Sequence, residues 1–470
     1  MTPGRVHFMR KSTCLFLILI MLSLLAGCRA AGGGAGAGAA GQVGAGAAGD
    51  AAGTAAPDTA GDAAGTAAPD TTGGPAEPSS AIQNDPLWTD AGSMKAMVIS
   101  DLHYTEYKEV DPMIVPGIAV AEEFTDAIVA EVIDRHPDVL IMTGDNTNSG
   151  YSRDVAGLTA KLQKVRDAGV QIVLTTGNHD MDLMGAEEFE EAYFGLLDPV
   201  DRDPASLSYT AIVKDVVFLA MDDNAVNPGG QGEFSSETMR WLAEMLSKYS
   251  SRQIIFLSHH NVLYGYGERS SASNLIQSPS ASEQPETSEQ LELPDKAELP
   301  ELPDLLREGG VKLAMTGHMH FPYVTEEDGL WEILSGMPFS GRHLIGRLAA
   351  GSGRAVYFAE SVDFEVYGGA VKEELARLDR ESAAYMSRVF GELLGKEGLW
   401  GPRKKRVLKL IERYLQYCGE GTLAEHAQEL RDDRDCEAMI KALWNYNYGP
   451  WMQAMLETTE YSGRELEVEW

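Results

Sequence analysis

The sequence alternates short apolar runs with amphipathic stretches from Lys95 onward, and the apolar runs have the length of buried strands. Helices are expected between them, for example over Ala121–Ile133 and Ser235–Leu246. The predicted strands are Ala96–Ile99, Val139–Met142, Ile172–Leu174, Val216–Met221, Ile254–Leu257 and Val311–Met315. Strands that alternate with helices are typical of an α/β fold with layered sheets, and this pattern restricts the chain more than any other feature.

Nearly every predicted strand runs directly into a cluster of polar residues. The five clusters are Asp101-Leu102-His103, Gly144-Asp145, Gly177-Asn178-His179-Asp180, His259-His260 and Gly317-His318-Met319-His320. Ligand sites of α/β sheets form at the carboxyl ends of strands, so we expect these clusters to meet in space. A single cluster is weak evidence, because a lone histidine at a strand end is usually structural. Together they supply carboxylate, amide and imidazole groups without a thiolate, which suits two borderline divalent or trivalent metal ions.

The order of these clusters resembles the motifs of the calcineurin-like metallophosphoesterases. That family has Asp-x-His, Gly-Asp-x-x-(Asp/Asn), Gly-Asn-His-(Asp/Glu), a later His and Gly-His-x-His, and all five blocks occur here in order across residues 95 to about 362. The resemblance implies an αββα sandwich of two sheets flanked by helices. It implies that one metal ion is bound by Asp101, His103, Asp145 and His320, and the second by Asp145, Asn178, His259 and His318. Asp145 would then bridge the two ions, and His259 is preferred to His260 because it follows the strand directly.

The chemistry expected of such a site is phosphoester hydrolysis. Two divalent ions outweigh the negative charges of Asp101 and Asp145, which leaves a positive centre for a small phosphate ester. Two ions, with Fe, Mn or Zn as the candidates, can activate a bridging hydroxide for in-line attack on phosphorus. His179 is not a ligand in the family, and we expect it to protonate the leaving oxygen while Asp180 orients its ring. A purely structural His179 is the alternative.

Phosphodiesters, cyclic nucleotides among them, are the expected substrates. The motifs and the export signal described below resemble the bacterial cyclic-nucleotide phosphodiesterase branch, which includes lipoproteins with a helical C-terminal domain. A phosphomonoesterase or pyrophosphatase of the same fold is one alternative. The other is a surface lipoprotein that binds metal or ligand without turnover. The combination of Asp145 and His179 favours an enzyme, because a pure binder has no need of His179.

Residues 1–27 have the pattern of a lipoprotein signal peptide, in which basic residues precede an apolar run. The run ends in Leu25-Ala26-Gly27-Cys28, which resembles a bacterial lipobox. We expect lipidation of Cys28 and attachment to the outer face of the bacterial cytoplasmic membrane. Residues 28–92 are rich in Ala, Gly, Thr and Pro, which predicts a disordered tether. The 38 basic and 71 acidic side chains give a net charge of −33, which excludes general nucleic-acid binding.

The remaining chain divides into a metallophosphoesterase domain over 93–365 and a small helical bundle over 366–470. An insertion at 266–300, rich in Ser, Glu and Pro, predicts a disordered loop near the site, with a lid as the alternative. Gly341-Arg342-His343 is expected in a solvated loop, with phosphate binding as the alternative. In the bundle, Gly419 is predicted to end a helix. Interdomain packing is predicted for Trp444, Tyr446, Tyr448 and Trp451, with a platform for stacking a nucleobase as the alternative. Cys418 and Cys436 form either a disulfide or two buried thiols, and the oligomeric state stays open.

Overall fold

A computed structural model describes residues 93–106, 119–228, 232–263, 300–339, 341–446 and 448–470. The predicted signal peptide, the lipidation site at Cys28, the tether and almost all of the 266–300 insertion lie outside these residues. Within the described part of the chain, no helix is both long enough and apolar enough to cross a bilayer.

The described strands form two mixed sheets. In chain order the strands are β1 Met94–Ile99, β2 Val139–Met142, β3 Gln171–Leu174, β4 Asp201–Arg202, β5 Tyr209–Val213, β6 Val216–Ala220, β7 Gln253–Leu257, β8 Leu313–Thr316, β9 Tyr323–Glu327, β10 Leu330–Leu334, β11 Leu344–Gly351, β12 Arg354–Ser361 and β13 Glu465–Glu469. The first sheet has the order β13-β12-β11-β1-β2-β3, and the second has the order β4-β5-β6-β7-β8-β10-β9. One apolar core contains residues of both sheets, among them Val98 and Ile141 of the first and Phe218 and Ile255 of the second.

The parallel strands place their carboxyl ends together. β1, β2 and β3 are parallel, with Ala96 opposite Val139 and Val139 opposite Gln171. In the second sheet β6, β7 and β8 are also parallel. Continuous apolar runs such as Val216–Ala220 are buried along their whole length, as expected of strands covered on both faces. The loops that follow β1, β2, β3, β7 and β8 carry the five predicted polar clusters.

The helices cover the sheets or form the C-terminal bundle. In chain order they are α1 Ala121–Arg135, α2 Ser152–Asp167, α3 Ala186–Tyr193, α4 Ser236–Lys248, α5 Leu302–Glu308, α6 Phe364–Tyr367, α7 Gly369–Lys396, α8 Gly401–Glu420, α9 Leu423–Arg431, α10 Cys436–Leu443 and α11 Tyr448–Thr458. The predicted helix at Ser235 begins one residue later, because Oγ of Ser235 accepts a hydrogen bond from the backbone N of Thr238, 3.0 Å away, as an N-cap. Trp241 and Leu242 then pack against the second sheet.

Helices α7 to α11 form the predicted bundle around a separate apolar core. Cys418 and Cys436 are both buried in it and both free, so of the two alternatives the structure has buried thiols. The predicted end of α8 is off by two residues: Gly419 lies inside the helix, and Gly421 ends it with φ of 67°. That left-handed conformation favours glycine, which explains why Gly421 is the cap.

The chain after the bundle returns to the sandwich. β13 pairs antiparallel with β12, with Arg354 opposite Glu469 and Phe358 opposite Glu465. The prediction of a helical domain over 366–470 is therefore wrong at its C-terminal end, because the last strand completes the first sheet. The sequence of β13, ELEVE, alternates acidic and apolar residues but is short and mostly exposed. It predicted a strand only weakly, because β13 buries little more than Val468.

Candidate metal centre and active site

Four predicted ligands from three strand ends form one buried group. Asp101 and His103 follow β1, Asp145 follows β2, and His320 follows β8. Each offers one donor atom, and these atoms all lie within 4.8 Å of one another. Nε2 of His320 lies 3.1 Å from Nε2 of His103 and 3.4 Å from Oδ1 of Asp101. Two imidazole nitrogens and two carboxylates thus converge on one small volume, which is suited to a cation.

Asp145 lies between this group and a second group of donors. Its Oδ2 is 3.5 Å from Nε2 of His103 and 3.3 Å from Nε2 of His259. Nε2 of His259 is 3.1 Å from Oδ1 of Asn178, which is also 3.1 Å from Nδ1 of His318. A carboxylate in this position can bridge two cations. The structure therefore brings all seven predicted ligands together, in the two sets that the resemblance implied.

Two glycines allow the loops to approach this closely. A Cβ on Gly177 would lie 1.9 Å from the backbone N of Asp145 and 2.2 Å from its Oδ1. A Cβ on Gly317 would lie 2.0 Å from Oγ of Ser100 and 2.7 Å from Oδ2 of Asp101. Any side chain at either position would displace a predicted ligand, so the site requires glycine there.

The backbone of five predicted ligands is strained. The φ angle is 51° at Asp101, 41° at His103, 49° at Asp145, 68° at His318 and 60° at His320. Residues other than glycine seldom adopt this left-handed region, at a cost of about 1 kcal/mol or more each, and such strain concentrates at functional sites. The packing around these loops must therefore hold them in place.

The donor set fits borderline metal ions. Nδ1 of His259 lies 2.9 Å from the carbonyl oxygen of Thr143, so this nitrogen donates and Nε2 is aimed at Asp145 and Asn178. Burial lowers the pKa of His103 and of His318 well below the usual value, which keeps both rings in the neutral form that metals bind. Burial by itself would lower the pKa of His259, but the charge and hydrogen bond of Asp145, together with the charges of Asp101 and Asp223, outweigh burial and raise the pKa to about 10. A cation bound there would displace that proton.

His179 is placed beside the ligands rather than among them. Its backbone N–H donates to Oδ1 of Asp145 at 2.8 Å, and its Nδ1 lies 2.8 Å from the carbonyl oxygen of Asn148. The ring packs edge-on against that of His103, with 4.7 Å between the centroids. Oδ2 of Asp182 lies 3.8 Å from Nδ1, so the carboxylate beside this ring is one that we did not predict.

We predicted that the carboxylate of Asp180 orients the ring of His179. In the structure, the hydrogen bonds of this carboxylate are to other groups. Its Oδ1 accepts from the backbone N and the hydroxyl of Thr147, at 2.7 and 2.9 Å. Its Oδ2 accepts from the backbone N of Asn146 and of Gly177, at 3.1 and 3.0 Å. Asp180 is fully buried and ties the loop after β2 to the loop after β3, so it positions Asp145 and Asn178.

Comparison with known proteins agrees with this geometry. Residues 94–322 match the profile of the calcineurin-like phosphoesterases. The segment 94–322, called the phosphoesterase domain below, is therefore similar to that family. The match covers β1 to β8 and all five polar clusters. The rest of the described chain, including the bundle, lies beyond the matched segment.

Several individual proteins are similar to the phosphoesterase domain. A probable cyclic nucleotide phosphodiesterase from Psychrobacter arcticus is 25% identical over 175 residues, which are 37% of this chain and 61% of that protein. The chain thus spans less than two thirds of that relative's length. A dimetal phosphatase from Danio rerio is 11% identical with a TM-score of 0.40, over 57% of this chain and 96% of that one. A purple acid phosphatase from Lupinus luteus is 13% identical with a TM-score of 0.36, over 57% of this chain and 52% of that one.

The phosphoesterase domain contains a further strand-end cluster that we did not predict, Asp222-Asp223-Asn224 after β6. Oδ2 of Asp223 accepts from the backbone N of His260 at 2.7 Å and lies 3.2 Å from Nδ1 of that ring. The ring of His260 in turn packs against that of His318, with 4.3 Å between centroids. His260 therefore lies behind the predicted ligand His318, and His259 is the histidine of the pair that faces Asp145 and Asn178. The sequence could have predicted this cluster, because it directly follows a predicted strand, as the other five clusters do.

Two other residues, Glu332 and His343, connect separate segments of the chain near this domain. Glu332 of β10 accepts hydrogen bonds from the backbone N of Val262 and of Leu263, at 2.8 and 2.7 Å, and so holds the turn after His259. His343 was expected in a solvated loop, but it packs against Phe364 and its Nε2 lies 3.4 Å from Oδ2 of Asp379 in α7. It therefore connects the sandwich to the bundle.

Proposed function

We propose that this protein hydrolyses phosphodiesters with two metal ions held by the seven converging ligands. The observation that carries the proposal is the position of Asp145, whose Oδ2 faces His103 of one donor group and His259 of the other. A centre that only stored one metal ion would not need a carboxylate between two sets of nitrogen ligands. Two divalent cations there would supply Lewis acidity toward the phosphoryl oxygens and toward an attacking water.

His179 is suited to handle the proton in this reaction. The contact between Nδ1 and the carbonyl oxygen of Asn148 fixes a hydrogen on Nδ1 and leaves proton exchange to Nε2. The backbone bond to Asp145 fixes the distance between His179 and the predicted ligands. We assign to Nε2 the proton that the leaving oxygen takes.

Asp180 and Asp223 act through other residues. Asp180 holds the two loops that carry Asp145 and Asn178, and Asp223 holds the turn that carries His259 and His260. Both are buried positioning residues. Their hydrogen bonds keep the ligands in one arrangement, so the site is preorganised for the reaction.

The substrate class we propose is phosphodiesters, cyclic nucleotides included. Support comes from the motifs and from the similarity to the Psychrobacter arcticus protein, which is described as a probable cyclic nucleotide phosphodiesterase. We also propose that the protein acts at the outer face of the bacterial cytoplasmic membrane, anchored through a lipid on Cys28. Support for the anchor comes from the lipobox sequence.

The test is a substrate panel with metal counting in the same sample. The purified chain would be stripped with a chelator, reloaded with Mn²⁺ and assayed on bis-p-nitrophenyl phosphate, cyclic AMP and the monoester p-nitrophenyl phosphate. We expect two ions per chain, no turnover after stripping and faster turnover of the diesters than of the monoester. The exposed variant Lys409→Gln is the matched control and should behave as wild type. Two bound ions without turnover on any ester would show a binding protein instead.

A further inference from the structure

The core of the helical bundle contains residues from the loop that carries two predicted ligands. Met319 lies between His318 and His320, and Phe321 follows directly. Both are buried, and both belong to the same apolar cluster as residues of α7, α8, α10 and α11. The ring of Phe321 packs edge-on against Trp451 of α11, with 5.9 Å between centroids. In this loop, called the ligand loop below, successive residues therefore lie in turn at the metal centre and in the bundle core.

A second set of contacts fixes the end of this loop. Gly421 at the end of α8 and Gly463 before β13 are joined by a backbone hydrogen bond of 2.8 Å. Both glycines press against Pro322. A Cβ on Gly463 would lie 2.4 Å from the carbonyl oxygen of Pro322, and a Cβ on Gly421 would lie 3.0 Å from its Cγ. Tyr323, the next residue, is buried and hydrogen-bonds Thr458 at the end of α11.

These contacts have a mechanical consequence. His318 and His320 both have positive φ angles, of 68° and 60°, which a free loop would relax. Strained residues keep their conformation only when the surrounding structure determines it. On one side the loop is held by Asp101, whose carboxylate accepts from the backbone N of His318 at 3.0 Å. On the other side it is held by the bundle.

We propose that the C-terminal bundle is the positioning element for His318 and His320, so that bundle packing and metal affinity are thermodynamically coupled. The inference rests on the metal centre proposed above. Each ligand set contains one of the two histidines, so displacement of the loop would weaken both sets together. Coupling is reciprocal: if the bundle strengthens metal binding, bound metal must stabilise the bundle by the same free energy. A bundle that was merely attached to the sandwich would show neither effect.

The variants that test this coupling are Gly463→Ala and Gly449→Ala, with Gly369→Ala as their matched control. The added methyl in Gly463→Ala would push on the carbonyl oxygen of Pro322, two residues after His320. The methyl in Gly449→Ala would meet the carbonyl oxygen of Ile440 at 2.2 Å, which strains α10 against α11 without contact to the ligand loop. The methyl in Gly369→Ala, at the exposed start of α7, would enter open space. Mn²⁺ affinity of the full chain would be measured by equilibrium dialysis. We expect the Kd to rise at least tenfold in Gly463→Ala, to rise also in Gly449→Ala through the bundle alone, and to change less than about threefold in Gly369→Ala.

The second measurement needs no variant and so does not depend on how well a variant folds. Amide hydrogen exchange of α11, residues 448–458, would be compared in the wild-type chain with and without saturating Mn²⁺. We expect slower exchange with metal, although no residue of α11 is a predicted ligand. Equal exchange in both states, or an unchanged Kd in folded Gly463→Ala, would overturn the coupling. A wild-type chain that binds no Mn²⁺ would instead refute the metal centre itself.

Discussion

At the scale of single residues, the site depends on carboxylates that each serve several partners. Oδ2 of Asp145 faces His103 and His259, while its Oδ1 accepts the backbone N–H of His179. The same residue thus places the ligands and the proposed proton donor relative to one another. His179 differs from the ligands in chemistry, because it would move a proton and hold no metal.

The first prediction separates His179 from the ligands by kinetics. His179→Ala should keep both metal ions and lose about 10²–10⁴ in kcat, the usual contribution of one positioned proton donor. The loss should be smaller for p-nitrophenyl esters, since p-nitrophenolate leaves without a proton. His320→Ala should lose metal and fail on every ester alike. Metal content and kcat on two esters of different leaving-group pKa are the readouts, and an equal loss on both esters for His179→Ala would assign it to phosphoryl binding.

The second prediction concerns Glu332, which is fully buried and accepts bonds from Val262, Leu263 and the hydroxyl of Thr316. Burial outweighs these bonds and raises its pKa from 4.5 to about 7. Between those values the folded protein binds the extra proton, so the free energy of unfolding should fall as pH rises from about 5 to 7, by up to about 3 kcal/mol from this group.

Glu332→Gln should remove that part of the pH dependence. Chemical denaturation at several pH values gives the slope, and the exposed Glu308→Gln is the control. The Glu308→Gln slope should match wild type, while the Glu332→Gln slope should be flatter. Parallel slopes for wild type and Glu332→Gln would show that Glu332 stays ionised in the folded protein throughout this range.

At the scale of elements, the sequence predicted best where strands are buried on both faces. β1, β2, β3, β6, β7 and β8 were predicted within one to two residues, because continuous apolar runs leave few alternatives. β4, β5 and β9 to β12 were not predicted. Among them, Arg354–Ser361 alternates buried and exposed side chains and carries Arg and Glu, so its sequence lacks a continuous apolar run. β13 could not be inferred locally, because its pairing with β12 joins residues about 110 positions apart.

The site was more predictable than the fold around it. Ligands sit directly after buried strands, so their convergence follows from parallel topology. The hydrogen-bond partners of Asp180 could not be predicted from the sequence, because adjacency to His179 does not determine where the carboxylate of Asp180 points. The contact of Phe321 with Trp451 likewise spans two domains, and only a general expectation of interdomain packing for four aromatic residues was available from the sequence. Trp451 makes such a contact, whereas Trp444 is 49% exposed.

The third prediction compares the same substitution, Gly→Ala, at two positions where we expect opposite effects on the free energy of unfolding. Gly421→Ala should destabilise the protein by about 1 kcal/mol or more, because φ of 67° disfavours any residue with a Cβ. Gly391→Ala, inside α7 with its nearest neighbour atom at 3.7 Å, should stabilise by about 0.5–1 kcal/mol through helix propensity. Thermal unfolding of both variants beside wild type is the measurement. Two shifts of the same sign would contradict the assigned end of α8 or the packing around α7.

At the scale of the whole molecule, charge and location must be reconciled with an anionic substrate. The chain carries a net charge of −33, so a phosphate ester is attracted only where cations concentrate. Without bound metal the centre has the carboxylates Asp101 and Asp145 at its base, which would repel such a ligand. Metal occupancy should therefore decide substrate affinity as well as rate.

The fourth prediction concerns location. Cys28→Ala should block lipidation, so the protein should be released or kept as precursor while the wild-type chain remains in the membrane fraction. Fractionation of cells followed by mass determination of the mature N-terminus is the measurement. If Cys28→Ala protein fractionates and migrates as wild type does, the proposed lipid anchor is wrong, and the catalytic proposal is not affected.

The central claim is that Asp145 bridges two metal ions in a hydrolytic centre, and Asp145→Asn tests it most directly. An amide has one oxygen: if that oxygen takes the place of Oδ2, the NH₂ group meets the backbone N–H of His179, and if it takes the place of Oδ1, the NH₂ group faces both ligand sets. Metal content and the rate on bis-p-nitrophenyl phosphate would be measured on one Mn²⁺-loaded sample of each protein. We predict two ions and turnover for wild type, and at most one ion and no detectable turnover for Asp145→Asn. Two ions per chain at the wild-type rate in Asp145→Asn would contradict the account.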